Sequence, residues 1–128
     1  MQKYLAVLMI LILFSCNFYN QLNFDKKLTS KINLEYKEKK IPVDLTKVTD
    51  FEWDNYIIIT CYQTSSNVEE KYKIDLSNIS EYASSNDSKL ILVFLKNKKA
   101  IKICDVEMNT EFNTTNLLKE VDLNNVEN

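Results

Sequence analysis

A chain of 128 residues is long enough for one core of ordinary size and too short for two. Its 45% hydrophobic content, with Phe, Tyr and Trp at 11%, exceeds the level at which chains fail to bury enough surface to fold. Sixteen lysines with no arginine, against 18 carboxylates, give a net charge of -2; a basic excess and the bidentate guanidinium are both missing, which excludes an ordinary nucleic-acid binder.

The sequence contains no His and no Gly. Without His there is no Ser-His or Cys-His nucleophile, no zinc-histidine set, and no side chain that ordinarily titrates near neutrality. Without Gly there is no glycine loop to cradle a phosphate, and Asn becomes the residue best able to take positive backbone angles in turns. A Ser-Lys dyad or a carboxylate pair is formally available, but no spacing singles one out. The expectation is a non-enzyme with no cofactor and no metal.

Residues 1–15 read as a signal peptide. Lys3 supplies a positive start, and 4–14 is an unbroken apolar run, too short to span a bilayer but of the length of a signal core. It ends at Leu13-Phe14-Ser15-Cys16, which resembles the lipobox of bacterial lipoproteins. That resemblance implies that the Cys16 thiol carries a diacylglyceryl group and that cleavage before Cys16 frees an amine for further acylation, such as by palmitate. Phe14 departs from the family's preference for a small or β-branched residue there. Two or three acyl chains hold a protein on a bilayer far longer than one. Asn17 stands where some lipoproteins carry an inner-membrane retention aspartate, so the resemblance favours the outer membrane.

Residues 16–31 lack sustained periodicity and read as a lipidated tether, followed by an α+β domain over 32–112 and a polar tail over 113–128. Ile32, Leu34 and Tyr36 alternate with Asn33, Glu35 and Lys37, the pattern of a strand with one wet face. Glu38-Lys39-Lys40 then reads as a turn, and Ile41-Pro42-Val43 as extended chain. The densest strand signal is 51–62, apolar on both faces around Ile57-Ile58-Ile59, and it predicts a central strand. Ser66-Asn67-Val68-Glu69 fits a capping box for a short helix to about residue 73, against the alternative of a strand through Tyr72, Ile74 and Leu76. Residues 77–89 read as loop, with Leu76, Ile79 and Tyr82 spaced for one helical turn. Residues 90–95 and 100–106 form a hairpin across Asn97-Lys98-Lys99, with Asn97 in the turn. Residues 111–128 are a weak terminal helix or a frayed tail. The predicted fold class is α+β: a small antiparallel sheet of about four or five strands with one or two short helices.

Asp50-Phe51-Glu52-Trp53-Asp54, the apolar strand, Tyr62 and the hairpin opening Leu92-Val93-Phe94 look like a group of small uncharacterised bacterial lipoproteins sharing a Phe-x-Trp-Asp segment. The likeness covers about 49–112, lacks the group's usual glycine and proline, and implies no activity. Asp50, Glu52 and Asp54 would lie about 7 Å apart along one face of an extended segment, too spread for calcium, so they read as a solvated face opposite Phe51 and Trp53. Trp53 reads as a core anchor rather than a stacking platform. Once Cys16 is lipidated, Cys61 and Cys104 remain, and a disulfide between them, worth about 4 kcal/mol, stands level with two unpaired thiols. The strand phases set Cys104 with Lys102, and Cys61 with Ile57 and Ile59, so that one thiol points outward and the other inward. The sequons Asn78-Ile79-Ser80 and Asn113-Thr114-Thr115 are chance matches in an Asn-rich chain.

The expected role is a membrane-anchored binding or assembly module of the cell envelope, with the membrane and an envelope protein as partners. An inhibitor or immunity protein that neutralises a toxin is the alternative.

Overall fold

The computed structural model describes residues 2–15, 21–80 and 88–120. It has a three-stranded antiparallel sheet, in the order β1 (Asn55–Ile59), β2 (Lys89–Lys96), β3 (Lys99–Glu107). The helices among the described residues are α1 (Gln2–Ser15), α2 (Lys26–Lys39), α3 (Leu45–Val48) and α4 (Ser65–Tyr72). The fold is a small α+β domain, with three strands among the described residues where four or five were expected.

The hairpin β2–β3 forms as the sequence predicts. Asn97 and Lys98 both take left-handed angles, with φ of 52° and 63°, the geometry a two-residue turn needs to match strand twist. Asp54 braces the turn, its carboxylate accepting from the Asn97 amide at 2.7 Å. Opposite Phe94 and Leu95 the register slips by one residue at Ile101, so that Ala100 and Ile103 face one side of the sheet while Lys102, Cys104 and Val106 face the other.

Both sides of the sheet are covered, which explains the unbroken apolar runs in β1 and β2. On one side Ile57, Val93 and Ile103 pack with Val68 of α4 and with Ile74, Leu76 and Ile79 beyond it. On the other, Tyr56, Leu92, Phe94 and Cys104 pack under α2 and α3 through Leu28, Ile32, Leu45 and Val48. Phe94 is met edge-on by Phe51 and Trp53 at ring-centroid distances of 5.2 and 5.1 Å.

The strand expected through Ile32, Leu34 and Tyr36 is instead the middle of α2. Asp25 caps that helix by accepting from the Leu28 amide at 2.9 Å, and Lys40 ends it in the left-handed region, its amide bonded to the Tyr36 carbonyl. The true apolar row is Leu28, Ile32, Tyr36, a period of four that outweighs alternation once the helix has a sheet to pack on. The tether reading of 16–31 gives way over its described part, 21–31. Leu22 donates to the Asn78 carbonyl at 2.8 Å, Phe24 bridges Ile103, and Leu28 is buried.

The run expected to be the central strand is an edge strand, since β2 lies between β1 and β3. Its outer side is not bare. The Tyr56 amide donates to the Asn116 carbonyl, the Leu118 amide donates to the Tyr56 carbonyl, and the Tyr56 hydroxyl donates to the Asn113 carbonyl at 2.6 Å. Residues 113–118, expected to be tail, are thereby tied to the fold. At the far edge, Phe24 and Asp75 make parallel bridges to Ile103 and Lys99 of β3. Single-residue bridges at both edges do the covering work that one or two further strands were expected to do.

Helix α4 begins two residues before the expected capping box would place it. Thr64, not Ser66, is its cap, accepting from the Asn67 amide at 3.2 Å. Glu69 does not reach back to the cap; its carboxylate accepts from the Leu76 amide at 3.1 Å. Leu76 and Ile79 are both buried, and Tyr82 of the expected helical turn lies outside the described residues.

Candidate functional site

Cys16 lies outside the described residues, so its environment is not part of the fold above. Helix α1, just before it, exposes Tyr4, Leu5, Val7, Leu8 and Met9, and its sequence is apolar on every side. No helix among the described residues is long and apolar enough to cross a membrane.

The possible bridge between Cys61 and Cys104 is not formed; both are free thiols. Cys104 is fully buried and its thiol faces the Asp25 carbonyl at 3.9 Å, with burial pushing its pKa up to about 11. The outward direction expected for Cys104 is thereby corrected. The side of β3 that carries Lys102 looks toward α2 rather than solvent, because α2 packs across it.

The three carboxylates of the Phe-x-Trp-Asp segment do not converge. Glu52 pairs with Lys96 at 2.9 Å, and that hydrogen bond holds the Glu52 carboxyl below its usual range. Asp54 is engaged with the turn at Asn97, and Asp50 is exposed. Among the described residues no group of three or more Cys, Asp or Glu is placed to hold a metal. Trp53 is half-buried, donating from its indole nitrogen to the Thr49 hydroxyl at 2.9 Å.

The feature that sequence reading missed is the outward face of α2. At 3.6 residues per turn, Lys27, Lys31, Leu34 and Glu38 form one row along the helix, and Lys26, Ser30, Asn33 and Lys37 form the next. Seven of these eight are exposed, and Asn33 is half-buried because its side-chain oxygen accepts from the Glu107 amide. Leu34 sits among the lysines with 55% of its surface open. The first turn holds Lys26 and Lys27 and no acid, the wrong charge for the positive end of a helix dipole. Over 25–40 there are six lysines against three carboxylates, whereas the rest of the chain has ten against fifteen. The charge is therefore strongly polarised onto one element.

Beside this face a groove of about 880 Å³ runs between α2 and the end of β3, lined by Ser30, Leu34, Lys37, Lys40, Glu107 and Thr110 among others. Glu107, its one acidic wall residue, is already paired with Lys89. The buried Thr110 hydroxyl has no hydrogen-bond partner among the described residues. On the other side of α2, Lys102 donates to Asp25 and lies 4.5 Å from the Phe51 ring centre. The arrangement is a cationic surface with an apolar residue at its centre. An alternating strand would have hidden it, since the rows 27-31-34 and 26-30-33-37 exist only at helical spacing.

No family model, no curated protein and no solved structure matches this chain.

Proposed function

We propose that this chain is a lipid-anchored protein of the bacterial cell envelope whose folded domain is a non-enzymatic binding module. The observation that carries the reading is the junction of α1 with Cys16: a helix of fourteen residues whose unbroken apolar run, 4–14, ends within Leu13-Phe14-Ser15-Cys16. An α-helix apolar all round has no stable place in water, and fourteen residues at 1.5 Å each fall short of the roughly 30 Å of a hydrocarbon core. A segment of that kind is consistent with a signal that is removed, with the cysteine taking over as anchor. The absence of His and Gly from the sequence, and a basic face lacking any convergent acid-base pair, support binding over catalysis.

The test is intact mass and detergent partitioning of the protein expressed in a bacterial host, beside a Cys16→Ala variant. The expected wild type loses the first fifteen residues, gains acyl mass and enters the detergent phase, while the variant does none of these. Equal masses and equal solubility would refute the anchor.

A further inference from the structure

We infer that the outward face of α2 docks on an anionic phospholipid surface, as a second membrane contact beside the N-terminal anchor. The inference rests on the anchored reading above and adds which face of the domain meets the bilayer.

Three observations converge on it. Lys26, Lys27, Lys31 and Lys37 project from adjoining rows of one helix, and none is in an ion pair among the described residues. Leu34, at the centre of these lysines, is exposed as a residue that enters a headgroup layer would be. The chain fixes the distance: Leu22 is held to Asn78 and follows Cys16 by six residues, so the domain begins within about 20 Å of an anchor at Cys16, and α2 starts four residues later. A tether that short keeps the domain at the bilayer and lets the α2 lysines touch an anionic surface, whose potential acts within about 8 Å; the acidic remainder of the chain is repelled by it, which orients the domain.

The experiment binds the purified full-length protein to vesicles of phosphatidylcholine alone, or of phosphatidylglycerol and phosphatidylcholine in equal parts. Lysine acetylation rates are then read by peptide mass spectrometry. Lys26, Lys27, Lys31 and Lys37 are expected to react several-fold more slowly on the anionic vesicles, with Lys98 and Lys99 of the hairpin unchanged. The protection should vanish in molar salt, where screening acts within about 3 Å. Affinity for the anionic vesicles should also fall in a Lys27→Glu/Lys31→Glu variant with unchanged circular dichroism, by about fivefold or more for each lysine replaced, and the protection of Lys26 and Lys37 should fall with it. Equal rates on the two vesicle types overturn the inference. Protection in intact cells without protection on anionic vesicles also overturns it, and assigns the face to an acidic protein partner. Intact mass of the same samples reports Cys16 acylation separately, so a chain held by an uncleaved α1 would refute the lipid anchor while the docking result still stands or falls on the acetylation rates.

Discussion

The Lys102 ammonium donates to the Asp25 carboxylate at 2.9 Å, joining the middle of β3 to the cap of α2. The same carboxylate accepts from the Leu28 amide, so one side chain both starts the helix and fixes it to the sheet. These contacts lower the Asp25 pKa, first through the Leu28 amide and then through Lys102.

Replacing Asp25 therefore acts twice. Asp25→Ala should cost about 1–2 kcal/mol, from the lost cap together with the lost ion pair. Asp25→Asn, which keeps an acceptor for the Leu28 amide, should cost less. The pH dependence has a definite sign. Because the folded pKa lies below the unfolded one, the Asp25 contribution is complete above the unfolded value near 3.8 and is lost as pH falls through the folded value. Urea melts of the wild type and Asp25→Asn between neutral and acid pH should converge at the acid end.

Ile32 and Leu34 separate helix from strand by mutation. An alternating strand would bury both on one face; in α2 Ile32 is fully buried and Leu34 is 55% exposed. Ile32→Ala should cost about 2–5 kcal/mol, and Leu34→Ala no more than about 0.5 kcal/mol, in chemical denaturation. Similar large losses at both positions would contradict the helix.

The two thiols of the folded domain should differ in reactivity. Cys104 is fully buried with its pKa raised to about 11, whereas Cys61 is half-buried. Native labelling at neutral pH should modify Cys61 first and Cys104 only on unfolding. Denaturing, non-reducing conditions should reveal both thiols; recovering neither would mean that they are bridged.

Lys98 occupies a left-handed position with φ 63° and no local hydrogen-bonding side chain to favour it. Lys98→Gly should raise stability by about 0.5–1 kcal/mol, the relief of strain exceeding the entropy that Gly adds to the unfolded chain. Asn97→Gly should gain less, because Asn already tolerates φ 52°. Thermal melts of the two variants check the order.

Much of the fold was legible locally. The hairpin at Asn97 followed from two apolar runs separated by a polar turn, and the run around Ile57-Ile58-Ile59 declared a strand through its β-branched density. Where two local patterns were compatible with one segment, the sequence did not choose. Ile32, Leu34 and Tyr36 fit a two-residue period, while Leu28, Ile32 and Tyr36 fit a four-residue one. The segment is a helix because β3 presents Cys104 and Val106 as a surface that the second row covers and because Asp25 finds Lys102 across the fold. The candidate face on α2 was illegible for the same reason, since its lysines align only when the chain coils.

What the sequence by itself determined, then, are the features that depend on neighbours along the chain: an α+β composition of elements, the hairpin and its turn, and the poverty in catalytic residue types. The tertiary structure alone decided the position of β1 at the sheet edge, the enclosure of Cys104, the tie of 113–118 to Tyr56 and the helical state of α2. Each of these is set by apolar burial and backbone pairing between residues far apart in the chain, and such energies carry no local signature.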